Sequence, residues 1–148
     1  MDVATWVENY RVAWERADVA LVVSLFAEDG TYRNDIFADP NVGHEGVAEY
    51  WAGVTSRQSD VEVQMGTPFV DGNRVAVEFW TKMALDGDDV TISGTLLLSW
   101  PRTAAAARCA RTSTSRRDAS IRRRSGAPDR PVRRLLALLG RHGGLEPR

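Results

Sequence analysis

The stretch Leu25-Phe26-Ala27-Glu28-Asp29-Gly30-Thr31-Tyr32 carries the chain from a helix into a strand. Its first two residues are large and apolar, as on the buried face of a helix. Asp29-Gly30 is a pair that commonly ends a helix and begins a turn. Thr31-Tyr32 has the residue types that favour a strand. We therefore expect a short strand over residues 31–34, directly after a helix.

Helices are predicted on both sides of this stretch. Apolar residues recur at helical spacing over residues 6–17, and Thr5 with Glu8 has the spacing of a capping box. Asp18 is a suitable cap for a second, shorter helix. A loop follows the short strand, and a third helix is expected over about residues 44–56.

The second half of the pattern is typical of strands. Residues 61–65, 75–83 and 90–100 alternate between apolar and polar side chains. The pairs Asp71-Gly72 and Asp86-Gly87 mark turns between them. Helices first and antiparallel strands afterwards indicate an α+β fold, with three N-terminal helices packed on one face of the sheet.

The order of these elements resembles the nuclear transport factor 2-like superfamily, which includes ketosteroid isomerase and the SnoaL-like polyketide cyclases. The resemblance covers residues 3–100. The residues that carry it are Trp14, Asp18, the stretch Leu25 to Tyr32, Gly43, Val47, Tyr50 and Trp51. It implies a cone-like fold, in which a curved sheet wraps around the helices and leaves an apolar pocket at the open end. Because this fold hosts isomerases, cyclases, dehydratases, epoxide hydrolases and plain binding modules, it indicates the architecture more than the activity.

The resemblance also implies which residues form the site. The residues expected to contact an apolar small molecule are Trp14, Tyr32, Asn34, Phe37, Trp51, Phe79 and Leu96. Large apolar side chains with a few polar groups are typical of small-molecule pockets. The candidate catalytic residues are Tyr10, Asp35 and His44.

Steroid isomerisation by the family's mechanism is not expected. That mechanism needs a carboxylate base, and a tyrosine plus a protonated acid that form an oxyanion hole. The resemblance aligns Tyr10 with the oxyanion tyrosine. It aligns Asn34 with the base, Trp51 with a supporting tyrosine and Leu96 with the protonated acid. An amide cannot take up a proton at neutral pH, and a leucine has no donor.

Three functions stay open at this point. The first is a SnoaL-like small-molecule-binding domain, with Tyr10 and Asn34 as polar anchors. The second is an isomerase or cyclase acting on a steroid-like or polyketide-like substrate, with Asp35 or His44 as the base. Asp35 fits an exposed loop carboxylate better, and His44 a solvated residue at a helix start. The third is a dimerisation module with a filled cone. The sequence predicts no cofactor, and its two His and one Cys give no metal-ligand spacing.

The strand pattern and the composition also lead to expectations about a homodimer, the membrane and the cellular compartment. Trp80 and Lys82 should lie on the outer sheet face with Glu78, which fits a homodimer interface or an ordinary solvated face. No apolar run is long enough to span a membrane. A lone cysteine, Cys109, and an acidic N-terminus fit the cytoplasm.

The two ends of the chain differ in composition. Residues 1–100 hold 6 Lys and Arg against 17 Asp and Glu, whereas residues 101–148 hold 13 Arg and 3 Asp and Glu. Every aromatic residue lies in the first part, the last being Trp100. We expect one domain over residues 1–100 and a disordered Arg- and Ala-rich tail over residues 101–148. The tail has no aromatic residues for base stacking, so nucleic-acid binding is not predicted.

A shifted reading frame accounts for this change of composition. A GC-rich gene translated out of frame gives an Arg- and Ala-rich, aromatic-free segment. The degenerate code allows the shifted frame to restore a strand-like alternation after Cys109. The resemblance also implies one more long strand, and the tail shows no strand pattern. We therefore predict that the chain from about Pro101 is out of frame, and that the sheet edge at residues 96–100 is unpaired.

Overall fold

The computed structural model describes residues 1–100 and the backbone of the strand at residues 111–122. Three helices are present in this part of the chain: α1 (Val3–Glu15), α2 (Val19–Ser24) and α3 (Gly43–Thr55). None of them is long and apolar enough to cross a membrane.

The strands form one sheet. They are β1 (Thr31–Arg33), β2 (Asn41–Val42), β3 (Gln58–Met65), β4 (Phe69–Asp71), β5 (Arg74–Leu85), β6 (Asp88–Ser99) and β7 (Arg111–Arg122). Their order is β2-β1-β7-β6-β5-β3, and β4 also pairs with β5. All pairs are antiparallel except β1 with β7, which is parallel. The α+β prediction is confirmed.

The hairpin of β5 and β6 follows directly from the sequence. Asp86 and Gly87 both have positive φ, 52° and 86°, as a two-residue turn between antiparallel strands requires. The turn sets the register, so that Val77 pairs with Leu96 and Thr81 with Ile92. Alternate residues of both strands then point into the core.

The core lies between the helices and one face of the sheet. Its aromatic members come from both the helices and the strands of residues 1–100. They pack mostly edge to face, at ring-centroid distances of 5.2–6.4 Å for the pairs that involve Trp6, Tyr10 and Trp14. Edge-to-face pairs add stabilisation beyond the area that they bury.

The start of α1 differs from the capping box expected at Thr5 and Glu8. The helix begins at Val3, and Asp2 is its N-cap, because the Asp2 carboxylate accepts a hydrogen bond from the Thr5 backbone N–H at 2.8 Å. Glu8 instead forms an ion pair with Arg11 at 2.6 Å. The predicted cap of α2 is confirmed, since the Asp18 carboxylate accepts from the Leu21 N–H at 2.9 Å.

The prediction of an unpaired edge beside residues 96–100 is wrong. β7 pairs with β6 from Ser99↔Arg111 to Asp89↔Arg122, with a register shift between Ile92 and Gly94. The backbone hydrogen bonds of an extended segment outweigh its weak apolar pattern, which is why periodicity alone missed this strand. The rest of the predicted tail, residues 101–110 and 123–148, lies outside the described residues, and the reading-frame hypothesis stays a prediction.

Candidate functional site

One cavity lies at the centre of the described fold, between α1, α3 and the sheet. It is lined by Tyr10, Trp14, Tyr32, Asn34, Tyr50, Trp51, Val54, Phe79, Met83, Leu85, Ile92 and Leu96. Tyr10 and six of the seven expected contact residues are in this set. The fold therefore brings most of the predicted contact residues together around one cavity, and their role in binding a ligand stays a prediction.

Helical and strand periodicity bring these side chains together. Tyr10 and Trp14 are four residues apart on α1, so they lie on the same helix face. Tyr50 and Val54 have the same spacing on α3. Phe79 and Met83 are on the core face of β5. Tyr50 and Val54 were not predicted to line the cavity, although their spacing on α3 is a signal that identifies them.

Tyr10 is the most deeply buried phenol of the cavity. It is 1% exposed and hydrogen-bonds with Tyr32. Burial raises the pKa of Tyr10 far above its ordinary value, and the hydrogen bond with Tyr32 offsets only part of that rise. The hydroxyl therefore stays protonated at any physiological pH. It can hold a hydrogen bond, but it cannot act as a base.

Three tryptophans are buried in the described core, and their indole N–H groups differ in whether they have a hydrogen-bond acceptor. Trp6 donates to the Leu25 carbonyl at 2.8 Å, and Trp14 donates to the Gln58 side-chain oxygen at 3.2 Å. Trp51 is 2% exposed, and its Nε1 has no hydrogen-bond partner. A buried donor left without a partner costs about 1–3 kcal/mol. Among the described residues, Thr81 Oγ1 is the other buried side-chain polar atom without a hydrogen-bond partner.

The cavity is small in this conformation. Its volume is about 30 Å³. A single water needs at least about 10–15 Å³, so the space holds a few water-sized molecules at most. Three of the lining residues, Asn34, Tyr50 and Val54, are only partly buried.

Asp35, Phe37 and His44 are not among the lining residues. Asp35 Oδ1 accepts a hydrogen bond from the Phe37 backbone N–H at 2.9 Å, within the loop after β1. This local turn directs Phe37 outward, and it is 93% exposed. His44 Nε2 donates to the Phe26 carbonyl at 3.0 Å, which ties the start of α3 to the end of α2. The structure does not bring these three residues into one site with Tyr10.

Charged side chains are missing from the described lining. Asn34 and the phenols supply its polar groups, and no described carboxylate, imidazole or ammonium group lines it. Among the residues described, no three His, Cys, Asp or Glu side chains are grouped as a metal site requires. The geometry is that of an apolar pocket with neutral hydrogen-bonding groups.

Comparison with known proteins identifies the class. The family model described as "SnoaL-like domain" matches residues 7–107, which is more than half of the chain. The chain therefore belongs to the SnoaL-like domain family, as the sequence pattern indicated. A comparison with curated proteins found no match.

Solved structures share the fold at low sequence identity. A protein from Novosphingobium aromaticivorans proposed to be an aromatic ring hydroxylase is 20% identical, with a TM-score of 0.66 over 81% of this chain and 90% of that chain. The epoxide hydrolase/cyclase-like enzyme SalBIII, of pyran ring formation in salinomycin, is 19% identical, with a TM-score of 0.65 over 80% and 94%. A protein from Catenulispora acidiphila with a ketosteroid isomerase-like fold, in complex with trimethylamine, is 19% identical, with a TM-score of 0.62 over 73% and 83%. These similarities confirm the cone-like fold.

Proposed function

We propose that this SnoaL-like domain binds a neutral, apolar, ring-containing small molecule in the central cavity. The observation that carries the proposal is the lining itself. Six aromatic residues surround the space, and its polar groups among the described residues are uncharged. Such a lining favours ligands whose apolar surface is removed from water on binding. It disfavours ions, because no described charged side chain offsets the free-energy cost of removing an ion from water.

Ligand entry requires a side-chain movement. The cavity of about 30 Å³ is far below the roughly 300–1,000 Å³ of typical ligand pockets. The half-buried Asn34, Tyr50 and Val54 line one side of it, whereas Tyr10 and Trp51 are fully buried. We infer that the rings enter past Tyr50 and Val54.

A thermal-shift screen tests the proposal. The probes are 1-tetralone, a steroid enone and a polyketide-like anthraquinone. Binding to the folded state alone raises the melting temperature, and a concentration of 100 times Kd stabilises by about 2.7 kcal/mol. We expect at least one probe to raise the melting temperature of the wild-type chain. If none does, the binding proposal is wrong.

A pair of matched variants locates the binding. Val54→Trp places a large ring at the half-buried side of the cavity and should abolish the shift. Ala52→Trp places the same ring on the exposed face of α3 and should leave the shift unchanged. Equal shifts in both variants would mean that the probe binds elsewhere.

Acid–base catalysis has no support from the described site. Asp35 and His44 form their hydrogen bonds outside the cavity, and Tyr10 stays protonated. A base within hydrogen-bond reach of the substrate is the minimum requirement for proton transfer. Binding is therefore the function that the geometry favours over an isomerase or cyclase reaction.

We also infer that the outer sheet face forms a homodimer. Phe69 pairs with Ala76, and Ala76 with Leu97, so these apolar residues form one row across three strands. Phe69 is 71% exposed and Leu97 is 40% exposed. Trp80, on the same face of β5 as Ala76, is 44% exposed. Apolar side chains grouped on an exposed sheet face are typical of an association surface.

Sedimentation velocity tests the homodimer. The wild-type chain should sediment as a dimer at micromolar concentration, and Trp80→Lys should shift it to the monomer. Phe37→Lys makes the same kind of change at an exposed apolar residue in the loop after β1, and it should leave the dimer intact. A wild-type monomer, or loss of the dimer in both variants, contradicts this assignment.

The cytoplasm is the compartment that we infer. Cys109 is the single cysteine of the sequence, so no disulfide can form within the chain. Proteins without disulfide bonds are typical of reducing compartments. Fractionation of the native cells should recover the chain with cytoplasmic enzymes, and recovery with the membranes would contradict the inference.

A further inference from the structure

The polar groups of the cavity are not equally available to a ligand. Tyr10 and Tyr32 hydrogen-bond with each other, and Trp14 donates to Gln58. Asn34 and Tyr50 also have partners within the fold. The indole N–H of Trp51 differs from them, because it is a buried side-chain donor of the described lining with no hydrogen-bond partner at all. The sequence assigned the polar contacts to Tyr10 and Asn34 instead.

Aromatic rings surround Trp51, and no described atom accepts a hydrogen bond from its N–H. The Tyr10 and Trp14 rings meet the Trp51 ring nearly at right angles, at centroid distances of 5.5 and 5.6 Å, and the Tyr32 and Tyr50 rings lie at 6.0 and 6.1 Å. Rings of the described chain thus pack around the indole on several sides while its N–H remains unpaired. Buried polar groups in native proteins are nearly always hydrogen-bonded, so an exception beside a cavity needs an explanation.

We propose that the Trp51 N–H binds an acceptor oxygen of the ligand and so selects neutral ring compounds that carry a ketone, ester or ether oxygen. This inference rests on the proposed function, because it presupposes a ligand in the cavity. The acceptor is neutral, since no described charged side chain lines the cavity to balance an ion. One indole N–H donates one hydrogen bond, which suits a single oxygen on an otherwise apolar molecule.

A thermodynamic cycle of one substitution and two probes separates the contribution of the hydrogen bond to affinity from the contribution of packing. The probes are 1-tetralone, which carries a ketone, and tetralin, which has the same rings without the oxygen. Their affinities are measured by isothermal titration calorimetry for the wild-type chain and for Trp51→Phe. The change in ring size affects both probes alike and cancels in the cycle. We expect Trp51→Phe to weaken 1-tetralone about fivefold more than tetralin, as the net value of one hydrogen bond implies.

Thr81→Val is the matched control. Thr81 Oγ1 is the other buried side-chain atom without a partner among the described residues, but Thr81 does not line the cavity. Replacing its hydroxyl with a methyl group of similar shape should leave the preference for 1-tetralone over tetralin unchanged. An equal loss of that preference in Thr81→Val would show that general core disturbance, and not the Trp51 donor, controls it.

Indole resonances give a readout that does not depend on the stability of the variant. In the ¹⁵N–¹H spectrum of the wild-type chain, the Trp51 Nε1–H signal is the one that is lost in Trp51→Phe. We expect 1-tetralone to move this signal downfield and tetralin to leave it near its position in the free chain. Equal shifts with the two probes, or none, would overturn the inference while tetralin binding still upholds the proposed function. Failure of 1-tetralone and tetralin to bind would overturn this inference, and the proposed function would fall with it only if the steroid enone and the anthraquinone also left the melting temperature unchanged.

Discussion

At the residue scale, Tyr10 shows how burial controls the ionisation of a phenol. The side chain is 1% exposed, and burial raises its pKa above the value of about 10 expected for an unfolded chain. Above that pH the unfolded state releases the proton while the folded state keeps it. The free energy of unfolding therefore falls as the pH rises above about 10, by up to about 1.4 kcal/mol per pH unit.

Tyr10→Phe should remove this alkaline dependence. At pH 8 the variant should be less stable by about 1 kcal/mol, because Tyr32 loses its hydrogen-bond partner. Between pH 10 and pH 11 the difference should narrow, since the variant has no buried phenol to ionise. Urea denaturation at several pH values measures both. A gap that stays constant with pH would show that Tyr10 does not control the alkaline loss of stability.

At the scale of elements, Glu15 connects α1 to β3. One of its carboxylate oxygens accepts the backbone N–H of Val63 at 2.9 Å, and the other accepts from Arg11 at 2.6 Å. The contact lies just after the register shift between Ser59 and Glu62, where the regular pairing of β3 with β5 resumes. β3 is the last strand in the sheet order, so a side chain of the helix here satisfies a backbone donor at the edge of the sheet.

Glu15→Ala should destabilise the fold by about 1–2 kcal/mol, because the partly buried Val63 N–H loses its acceptor. Glu8 is the matched control, since it also pairs with Arg11 but is 59% exposed and contacts no strand. Glu8→Ala should cost less than about 0.5 kcal/mol. Glu15→Gln keeps an acceptor and should recover most of the loss. Equal effects of Glu8→Ala and Glu15→Ala in thermal denaturation would contradict the role of the Val63 contact.

At the scale of the whole molecule, β7 completes the sheet but carries an unusual sequence. It joins β6 to β1, so the sheet continues from β5 across to the short β1–β2 pair. The register positions opposite the buried Leu96 and Leu98 are Thr114 and Thr112. Aliphatic residues at such positions are the usual solution for a strand beside a core. This residue choice is consistent with a shifted reading frame.

The coding DNA tests the reading-frame hypothesis. We expect a one-nucleotide insertion or deletion near the codon for Pro101, and a corrected chain that melts at higher temperature. Each aliphatic side chain that becomes buried stabilises by about 1.5–3 kcal/mol. A gene that reads through Trp100 in a single frame, together with a protease-resistant tail in the purified chain, would refute the hypothesis.

The sequence by itself predicted the elements whose apolar period is long and regular. Residues 75–83 and 90–100 largely alternate between apolar and polar side chains, and they form most of the long strands β5 and β6. The spacing of Tyr10 and Trp14 predicted their common face on α1. The reason is local, because side-chain periodicity and turn geometry depend on neighbouring residues only.

Only the tertiary structure decided which polar groups stay paired and which side chains reach the cavity. The sequence cannot show that Trp6 and Trp14 have acceptors while Trp51 has none, since those acceptors come from Leu25 and Gln58, far along the chain. The same holds for the strand β7, whose backbone pairs with β6 despite its weak pattern. Hydrogen-bond partners and strand neighbours are set by long-range packing, which periodicity does not encode.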